Sequence, residues 1–312
     1  MNSRHPKGHL KAYLFGWSLL LAIGSCLASS STSSTAFYRP SSNELQAALE
    51  ERFEQAQKLA ALEQEIEDHN AAWVASSSDM AESTSKRRLI CLPLDDRFDP
   101  PMGVFSHGHV QTGDKMSLPR VFFQAIQANK AEVPWLFTVR RVEKSTGEGD
   151  EEVVSSYNER VVGPEQAGSL SQVIGGPLDF RAPPNYVFLP HWMMRALGLQ
   201  PRDVVDVEIT FSVPAGSLAR LRPHSSSWSK EISNPQAVLE TELRHYSSLT
   251  KGSTIAFDYN SKRYWFDVED LRSAPRGERC SAIRVQDCDI ATDFLPAKDT
   301  KRAKARKTKE DE

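Results

Sequence analysis

The sequence lacks the local patterns that mark the commonest enzyme classes. It contains no nucleophile elbow, no Gly-x-x-x-x-Gly-Lys phosphate loop, no dinucleotide-binding glycine fingerprint and no His-Glu-x-x-His pair. His107 and His109 flank a glycine, without a Cys, Asp or Glu at a recognisable ligand spacing. His224 precedes Ser225, but adjacency alone does not provide a nucleophile with its base. The sequence therefore predicts no catalytic residue, no metal site, no cofactor and no enzymatic activity.

Cysteine and net charge are also scarce. The 312 residues include four cysteines, and none forms a Cys-x-x-Cys pair. This pattern predicts neither a disulfide framework nor a zinc knuckle, and the scattered thiols favour a reducing destination. The net charge of -3 gives no general attraction to nucleic acid or to an anionic membrane surface. We therefore expect no nucleic-acid partner, and we expect a membrane to matter only during targeting.

The N-terminal segment has the features of a targeting leader. Basic residues precede an apolar run from Ala12 to Ala28, which predicts a signal peptide, with a single membrane anchor as the alternative. A Ser/Thr tract follows and ends at Ala36 and Phe37, where we expect cleavage. This order resembles the bipartite leaders of algae with complex plastids, although the acidic residues that follow depart from that pattern. An ordinary signal peptide with a serine-rich spacer is the alternative for residues 1–36.

Residues 37–88 are expected to hold a transit-like segment, a helix and a linker. Apolar residues recur every three or four positions between Asn43 and Asn70, which predicts an amphipathic helix. Such a helix either packs on its own domain or contacts a partner helix. The polar stretch from Ser76 to Lys86 is interpreted as a linker.

From residue 89 onward, short β-rich runs alternate with brief helical segments, which predicts an α+β fold. The helices are predicted at Pro190–Leu197, ahead of Gly198, and at Pro235–Tyr246. A Gly-, Glu- and Ser-rich stretch at about 143–176 is interpreted as a surface insertion. The charged residues 297–312 are expected to form a disordered tail.

Several strings between residues 110 and 296 have the order and spacing of one known family. They include a glycine-lysine turn, a Leu-Pro-His-Trp-Met-Met run and an Asn-Pro-Gln-Ala-Val-Leu-Glu run. The positions that carry the match are Gly113, Lys115, Pro119, Leu189, Pro190, Trp192, Met193, Met194, Pro223, Asn234, Pro235, Leu239, Glu240, Leu243 and Gly252. Their chemistry suits turns, helix caps and apolar packing, so most are expected to be structural.

These strings resemble the ubiquitin fusion degradation protein 1 family. The resemblance implies a double-psi β-barrel, placed at residues 89–211, followed by a small α/β roll at residues 212–296. It also implies a ubiquitin-binding adaptor that contacts ubiquitin or polyubiquitin on clients, with contact residues that the sequence does not identify. The implied second partner is an AAA ATPase of the Cdc48 type, engaged directly or through an Npl4-like adaptor. We find no Phe-x-Gly-x-Gly box, which the family uses to grip the ATPase.

Leader and resemblance together predict a cellular role. They indicate ubiquitin-dependent, ERAD-like protein extraction that serves protein import across a complex-plastid membrane, with the chain in the periplastid compartment. The plastid stroma and the endoplasmic reticulum or secretory pathway are alternative locations. A scaffold subunit that does not bind ubiquitin is the alternative function.

Overall fold

The computed structural model describes residues 41–94, 112–142 and 168–300. The helices in these residues are α1 (Ser42–Ser76), α2 (Met80–Ser85), α3 (Val121–Ala128), α4 (His191–Leu197), α5 (Ser227–Glu231) and α6 (Pro235–Leu243). The strands are β1 (Lys86–Pro93), β2 (Lys115–Pro119), β3 (Leu136–Arg141), β4 (Gln172–Ala182), β5 (Tyr186–Leu189), β6 (Val204–Thr210), β7 (Gly216–Pro223), β8 (Ser248–Thr250), β9 (Thr254–Tyr259), β10 (Lys262–Ser273), β11 (Ala282–Arg284) and β12 (Ala291–Phe294).

The chain divides into two compact units, residues 1–52 and residues 53–312. In the first unit, the described residues hold the start of α1, where Leu45 and Leu49 are exposed. In the second unit, Ile66 of α1 is buried. The Asn70 side chain accepts a hydrogen bond from the Arg88 N–H (2.8 Å) and donates one to the Arg88 carbonyl (2.9 Å). The later turns of α1 are therefore fixed to β1.

Six strands close into a barrel in the order β1-β5-β2-β4-β3-β6. The pairs β1–β5 and β2–β4 are parallel, while β6 pairs antiparallel with both β1 and β3. Buried and less buried residues alternate in β5 and β6, as expected for a barrel wall with one apolar face, whereas β1, β2 and β3 each bury three or more consecutive residues. In β6, for example, Val205, Val207 and Ile209 are buried and the intervening residues are not.

Residues 215–300, called the sheet half below, hold a four-stranded sheet of order β12-β7-β10-β9 and a two-stranded sheet of β11 and β8. Trp228 of α5 is buried beneath the larger sheet, with ring centroids 4.7 Å from Phe266 and 5.2 Å from Tyr264. Leu239 and Leu243 of α6 are also buried. The short helices are thus held by packing rather than by their own length.

The barrel and the sheet half share one hydrophobic core. The Trp192 ring of α4 lies 6.4 Å from Tyr246, whose ring lies 6.2 Å from Phe257. This mixture of helices with parallel and antiparallel strands confirms the predicted α+β class. The finer assignment to a double-psi barrel and a roll stays a prediction.

Helices are present at all three predicted positions; α1 extends beyond the predicted Asn43–Asn70, and its amphipathic character stays a prediction. α4 ends at Gly198, which adopts φ 66°, a left-handed conformation that glycine tolerates at a helix end. The Asn234 side chain accepts a hydrogen bond from the Ala237 N–H (3.2 Å), and Pro235 occupies the first turn of α6. α6 ends at Leu243, three residues before the predicted Tyr246.

Three boundaries differ from the sequence interpretation. Residues 76–86 are not simply a linker, because Asp79 caps α2 by accepting from the Glu82 N–H (2.8 Å). The predicted insertion ends earlier than residue 176, because β4 begins at Gln172; residues 143–167 lie outside the described part. The predicted tail begins later than residue 297, because Lys298 contacts Asp267 at 2.6 Å; residues 301–312 lie outside the described part.

Candidate partner-binding surfaces

A buried polar seam joins the barrel to the sheet half, and it contains the first family-like string. The carboxylate of Asp114 accepts hydrogen bonds from the N–H groups of Ser247 (2.8 Å) and Ser248 (2.9 Å). Lys115 Nζ lies 3.8 Å from this carboxylate and also donates to the Ser247 hydroxyl. Complete burial raises the pKa of Asp114, and Lys115 and the serine donors oppose that rise. The seam links two chain segments that are far apart in sequence.

Glycine is required where the seam brings two backbones together. A Cβ at Gly113 would lie 2.7 Å from the His245 carbonyl oxygen, closer than a side chain tolerates. The Gly113 carbonyl in turn accepts a hydrogen bond from the Trp192 indole N–H (2.8 Å). The family-like glycine and tryptophan therefore meet in the interior.

Most other family-like positions also lie in the interior. Nine of them are buried, namely Pro119, Leu189, Pro190, Trp192, Met193, Met194, Pro223, Leu239 and Leu243. Gly252 adopts φ 83°, and Asn234 caps α6. Glu240 is exposed and lines a cleft. Most of these residues position the fold, and Asn234 and Glu240 are the exposed side chains among them.

That cleft lies in the sheet half and has a volume of about 910 Å³. The end of α6 supplies Leu243 and Arg244, and the loop before β12 supplies Cys288, Asp289 and Ile290. The Cys288 thiol donates to the Gln286 carbonyl (3.3 Å). Its lining combines both signs of charge with apolar side chains such as Leu243, Tyr246 and Ile290, so it offers no single chemistry to a partner.

A second cavity of about 330 Å³ opens in the barrel wall where β3 and β4 separate. β3 and β4 pair over four residues each, from Arg140 opposite Gln172 to Phe137 opposite Gly175. Pro134 and Pro177 flank that point, and neither has an N–H with which to continue the ladder. Beyond it, β4 pairs with β2 through a bulge. Two prolines and a bulge thus leave a gap between the segments 133–135 and 177–180.

Aromatic side chains line this gap, which we call the aromatic pocket. Its walls are residues 133–135 and 177–180, with Lys115, Ser247, Gln286 and Asp287 completing the lining. The Phe180 ring lies 6.5 Å from Trp135 and 5.6 Å from Phe123 of α3, centroid to centroid. Val133 is 66% exposed and Phe123 is 37% exposed. Large apolar groups are therefore presented to solvent around one cavity.

The His224 and Ser225 pair does not form a nucleophile and its base. His224 Nε2 lies 2.7 Å from a carboxylate oxygen of Asp267, whereas the Ser225 hydroxyl contacts Asp299 at 3.5 Å. Burial alone would raise the pKa of Asp267, but hydrogen bonds from His224 and Lys298 lower it to about 2. These contacts tie His224 and Lys298 to Asp267 of β10.

The remaining candidates from the sequence are a thiol, the metal ligands and the targeting residues. Burial raises the pKa of the Cys91 thiol to about 12, so it is a protonated apolar side chain. Among the described residues, no three His, Cys, Asp or Glu side chains are grouped as for a metal ion. His107, His109, Ala36 and Phe37 lie outside those residues. No helix within 41–94, 112–142 and 168–300 is long and apolar enough to cross a membrane.

Sequence reasoning missed the aromatic pocket. It identified Pro134 to Phe137 as a strand but gave no role to Phe123, Val133 or Phe180. The usable signal was a proline close to an aromatic residue in two separate strand runs, one position before Trp135 in the first and three positions before Phe180 in the second, because proline favours a sheet edge. Their spatial meeting depends on the barrel order, which no local pattern contains.

Comparison with known proteins gives two adjoining family matches. Residues 99–213 match ubiquitin fusion degradation protein UFD1, N-terminal subdomain 1, and residues 215–297 match N-terminal subdomain 2 of the same family. The two matches meet at the turn between β6 and β7. Helices α1 and α2 and strand β1 precede both matches.

Individual relatives agree with these matches. The chain is 40% identical over 122 residues to ubiquitin fusion degradation protein 1 of Saccharomyces cerevisiae, covering 39% of this chain and 32% of that protein. It is 35% identical over 128 residues to the Dictyostelium discoideum homolog, covering 41% and 36% of the two chains. It is 34% identical over 119 residues to the human ubiquitin recognition factor in ER-associated degradation protein 1, covering 38% and 36%. The similarity thus spans about a third of each relative.

Proposed function

This chain belongs to the ubiquitin fusion degradation protein 1 family, and from that premise we propose that it is a ubiquitin-binding adaptor rather than an enzyme. The observation that carries the proposal is the pair of family matches, which together cover residues 99–213 and 215–297. The names of the similar proteins refer to ubiquitin fusion degradation and to ubiquitin recognition in ER-associated degradation. The described structure supports a binding module, because its family-like residues build the interior and leave other surfaces open.

The finer fold assignment is part of this proposal. We assign the closed six-stranded barrel as double-psi and the sheet half as the α/β roll, with boundaries near residues 89–211 and 212–296. Two parallel pairs, β1 with β5 and β2 with β4, support an interlocked barrel of this kind. We assign a structural role to the buried family-like residues.

The second partner is an AAA ATPase of the Cdc48 type, engaged directly or through an Npl4-like adaptor. A single ubiquitin contact of modest area binds weakly, but several ubiquitins on one client raise the effective concentration at a multimeric complex. The adaptor then selects the client, and the ATPase does the mechanical work. This division of labour makes the protein part of ubiquitin-dependent, ERAD-like extraction.

Its proposed location is the periplastid compartment, where extraction would draw proteins inward across a complex-plastid membrane. The support is the sequence of residues 1–36, with an apolar run, a Ser/Thr tract and the Ala36–Phe37 junction. Residues 1–75 fused to a fluorescent protein in an alga with a complex plastid should label a compartment around the plastid. Label inside the stroma or in the secretory pathway would support the alternative locations instead.

Ubiquitin binding is tested by titrating the full chain into ¹⁵N-labelled ubiquitin and recording its amide resonances. We expect saturable shifts confined to one face of ubiquitin. Unchanged resonances at millimolar concentrations of the chain would contradict the proposal.

That negative result would favour a scaffold role. The exposed residues Leu45 and Leu49 at the start of α1 support such a role, because they offer a helix face to another subunit. A scaffold that does not bind ubiquitin would leave the ubiquitin spectrum unchanged and still assemble with other proteins through this helix.

A further inference from the structure

The aromatic pocket concentrates exposed apolar surface at one place on the barrel. Val133 is 66% exposed and Phe123 is 37% exposed, and Trp135 and Phe180 are half-buried beside them. Exposed aromatic groups around a cavity are typical of binding hot spots, because they bury large areas with little loss of side-chain freedom. The surface is therefore suited to an apolar patch on a protein partner.

The pocket walls are already fixed before a partner binds. The Phe180 ring lies 6.4 Å from Phe137, which is fully buried in the barrel. The Trp135 indole N–H donates to the Ala131 carbonyl at 3.2 Å. Rigid walls reduce the entropy lost on association. Binding here would not require the barrel to open.

The charges around the pocket favour a basic partner. Lys115 lies 3.8 Å from the Asp114 carboxylate, and Arg181 pairs with Asp179 at 2.8 Å. Among the described residues, Asp287 in the lining has no ion-pair partner, and neither do Glu132 and Lys130 next to Val133. Two unpaired carboxylates against one unpaired lysine leave the rim acidic on balance, which complements lysines and arginines around an apolar patch.

The other cavities are less suited to an apolar partner surface that is bordered by basic residues. The cleft in the sheet half mixes Arg244 with Glu240 and Asp289. A groove of about 430 Å³ beside Phe211 is crossed by the Arg140–Glu208 ion pair, 3.1 Å long. Neither surface groups several aromatic side chains around one opening. A cavity of about 270 Å³ in the sheet half is lined by Trp228, Tyr264 and Trp265, but Trp228 is buried and the lysine and arginine of its lining, Lys262 and Arg263, are basic.

We infer that the aromatic pocket is the surface on which this chain docks ubiquitin, through an apolar ubiquitin face bordered by basic residues. The inference rests on the proposed function and assigns it to named residues. Val133, Trp135 and Phe180 supply the apolar contact, and Glu132 and Asp287 supply the complementary charge.

Two matched variants of the full chain test the assignment. Val133→Arg places a long cation on the apolar wall, and Val74→Arg makes the same change at a 45% exposed position of α1. Titration into ¹⁵N-labelled ubiquitin should show binding that is weaker by about tenfold or more for Val133→Arg and unchanged for Val74→Arg. Thermal unfolding should show both variants folded, because both positions are exposed.

A second, milder variant tests the acidic rim without adding a larger side chain or a new charge. Glu132→Gln combined with Asp287→Asn removes the acidic rim and keeps the side-chain shapes, and Asn tolerates the left-handed φ of 56° at position 287. We expect weaker ubiquitin binding that no longer falls as sharply with added salt.

The outcomes distinguish a wrong assignment of the pocket from a wrong proposed function. If wild type and all variants bind ubiquitin equally, the pocket assignment is wrong and the proposed function stands. If wild type itself leaves the ubiquitin spectrum unchanged, both are wrong. Loss of binding in Val133→Arg and in the rim variant, with Val74→Arg unaffected, supports both.

Discussion

Two aromatic clusters, one in the sheet half and one in the barrel wall, differ in how far they are exposed. In the sheet half, Trp228 is buried and its ring centroid lies 4.7 Å from Phe266 and 5.9 Å from Phe294. In the barrel, Phe180 meets Trp135 and Phe123 at the wall, with Phe123 partly exposed. The cluster around Trp228 is therefore part of the core, and the cluster around Phe180 borders the surface, although the barrel also buries Phe122 and Phe137 in its own core.

The difference in exposure follows from how the strands pair in each region. β7, β10 and β9 pair along most of their lengths, and α5 covers them. β3 and β4 stop pairing at Phe137–Gly175, where Pro134 and Pro177 interrupt the ladder. An interrupted ladder leaves side chains without a neighbouring strand, and those side chains become available to another protein.

The largest expected effect is on stability in the sheet half. Trp228→Ala removes a fully buried ring, so we expect a loss of about 4 kcal/mol in the free energy of unfolding. Trp135→Ala, at a half-buried site in the aromatic pocket, should cost about 1 kcal/mol. Urea unfolding of the two variants, with ubiquitin binding measured on the folded fraction, checks the comparison. Equal losses of stability would show that the two aromatic groups do not differ in role.

The next effect concerns the seam between the regions. Asp114→Ala leaves the buried N–H groups of Ser247 and Ser248 without their acceptor and Lys115 without its carboxylate, so we expect a loss of about 3 kcal/mol. Asp293→Ala at an exposed ion pair with Arg220 should change stability by about 0.5 kcal/mol or less.

A single unfolding transition is expected for both of these variants, because the barrel and the sheet half share one core. Two separate transitions in Asp114→Ala, followed by tryptophan fluorescence and by circular dichroism, would instead show that the regions fold independently.

The smallest effect is dependent on pH and confined to the sheet half. The pKa of Asp267 is lowered from 3.8 to about 2, so its contribution of about 2 kcal/mol is present above pH 4 and is lost as pH falls toward 2. Asp267→Asn should therefore be less stable than wild type at neutral pH and nearly equal at the acid end. A difference that stays constant from pH 7 to pH 2 would contradict this. Ubiquitin binding at neutral pH should be unaffected, because Asp267 does not line the aromatic pocket.

Local patterns predicted the fold class and the helix ends well. Asn234, Pro235 and Gly198 act through their immediate neighbours, so their roles are visible in a short window of sequence. The family resemblance, now shown, came from strings whose residues meet in the interior. The sequence did not reveal the helix α2 or the early start of β4, because tertiary contacts decide those segments.

The aromatic pocket was harder to predict for a physical reason. Phe123 lies on α3, Val133 in the loop before β3 and Phe180 on β4, and the barrel fold brings these distant segments together. The leader prediction at Ala36 and Phe37 remains a prediction, since those residues lie outside the described structure.

The most direct test of the account is photo-crosslinking from defined positions. A benzophenone amino acid placed at Val133 in the full chain should crosslink to ubiquitin, and the same probe at Val74 or at the 60% exposed Phe211 should not. We expect a ubiquitin adduct from position 133 alone. An adduct from position 211 or 74 with none from position 133 would contradict it.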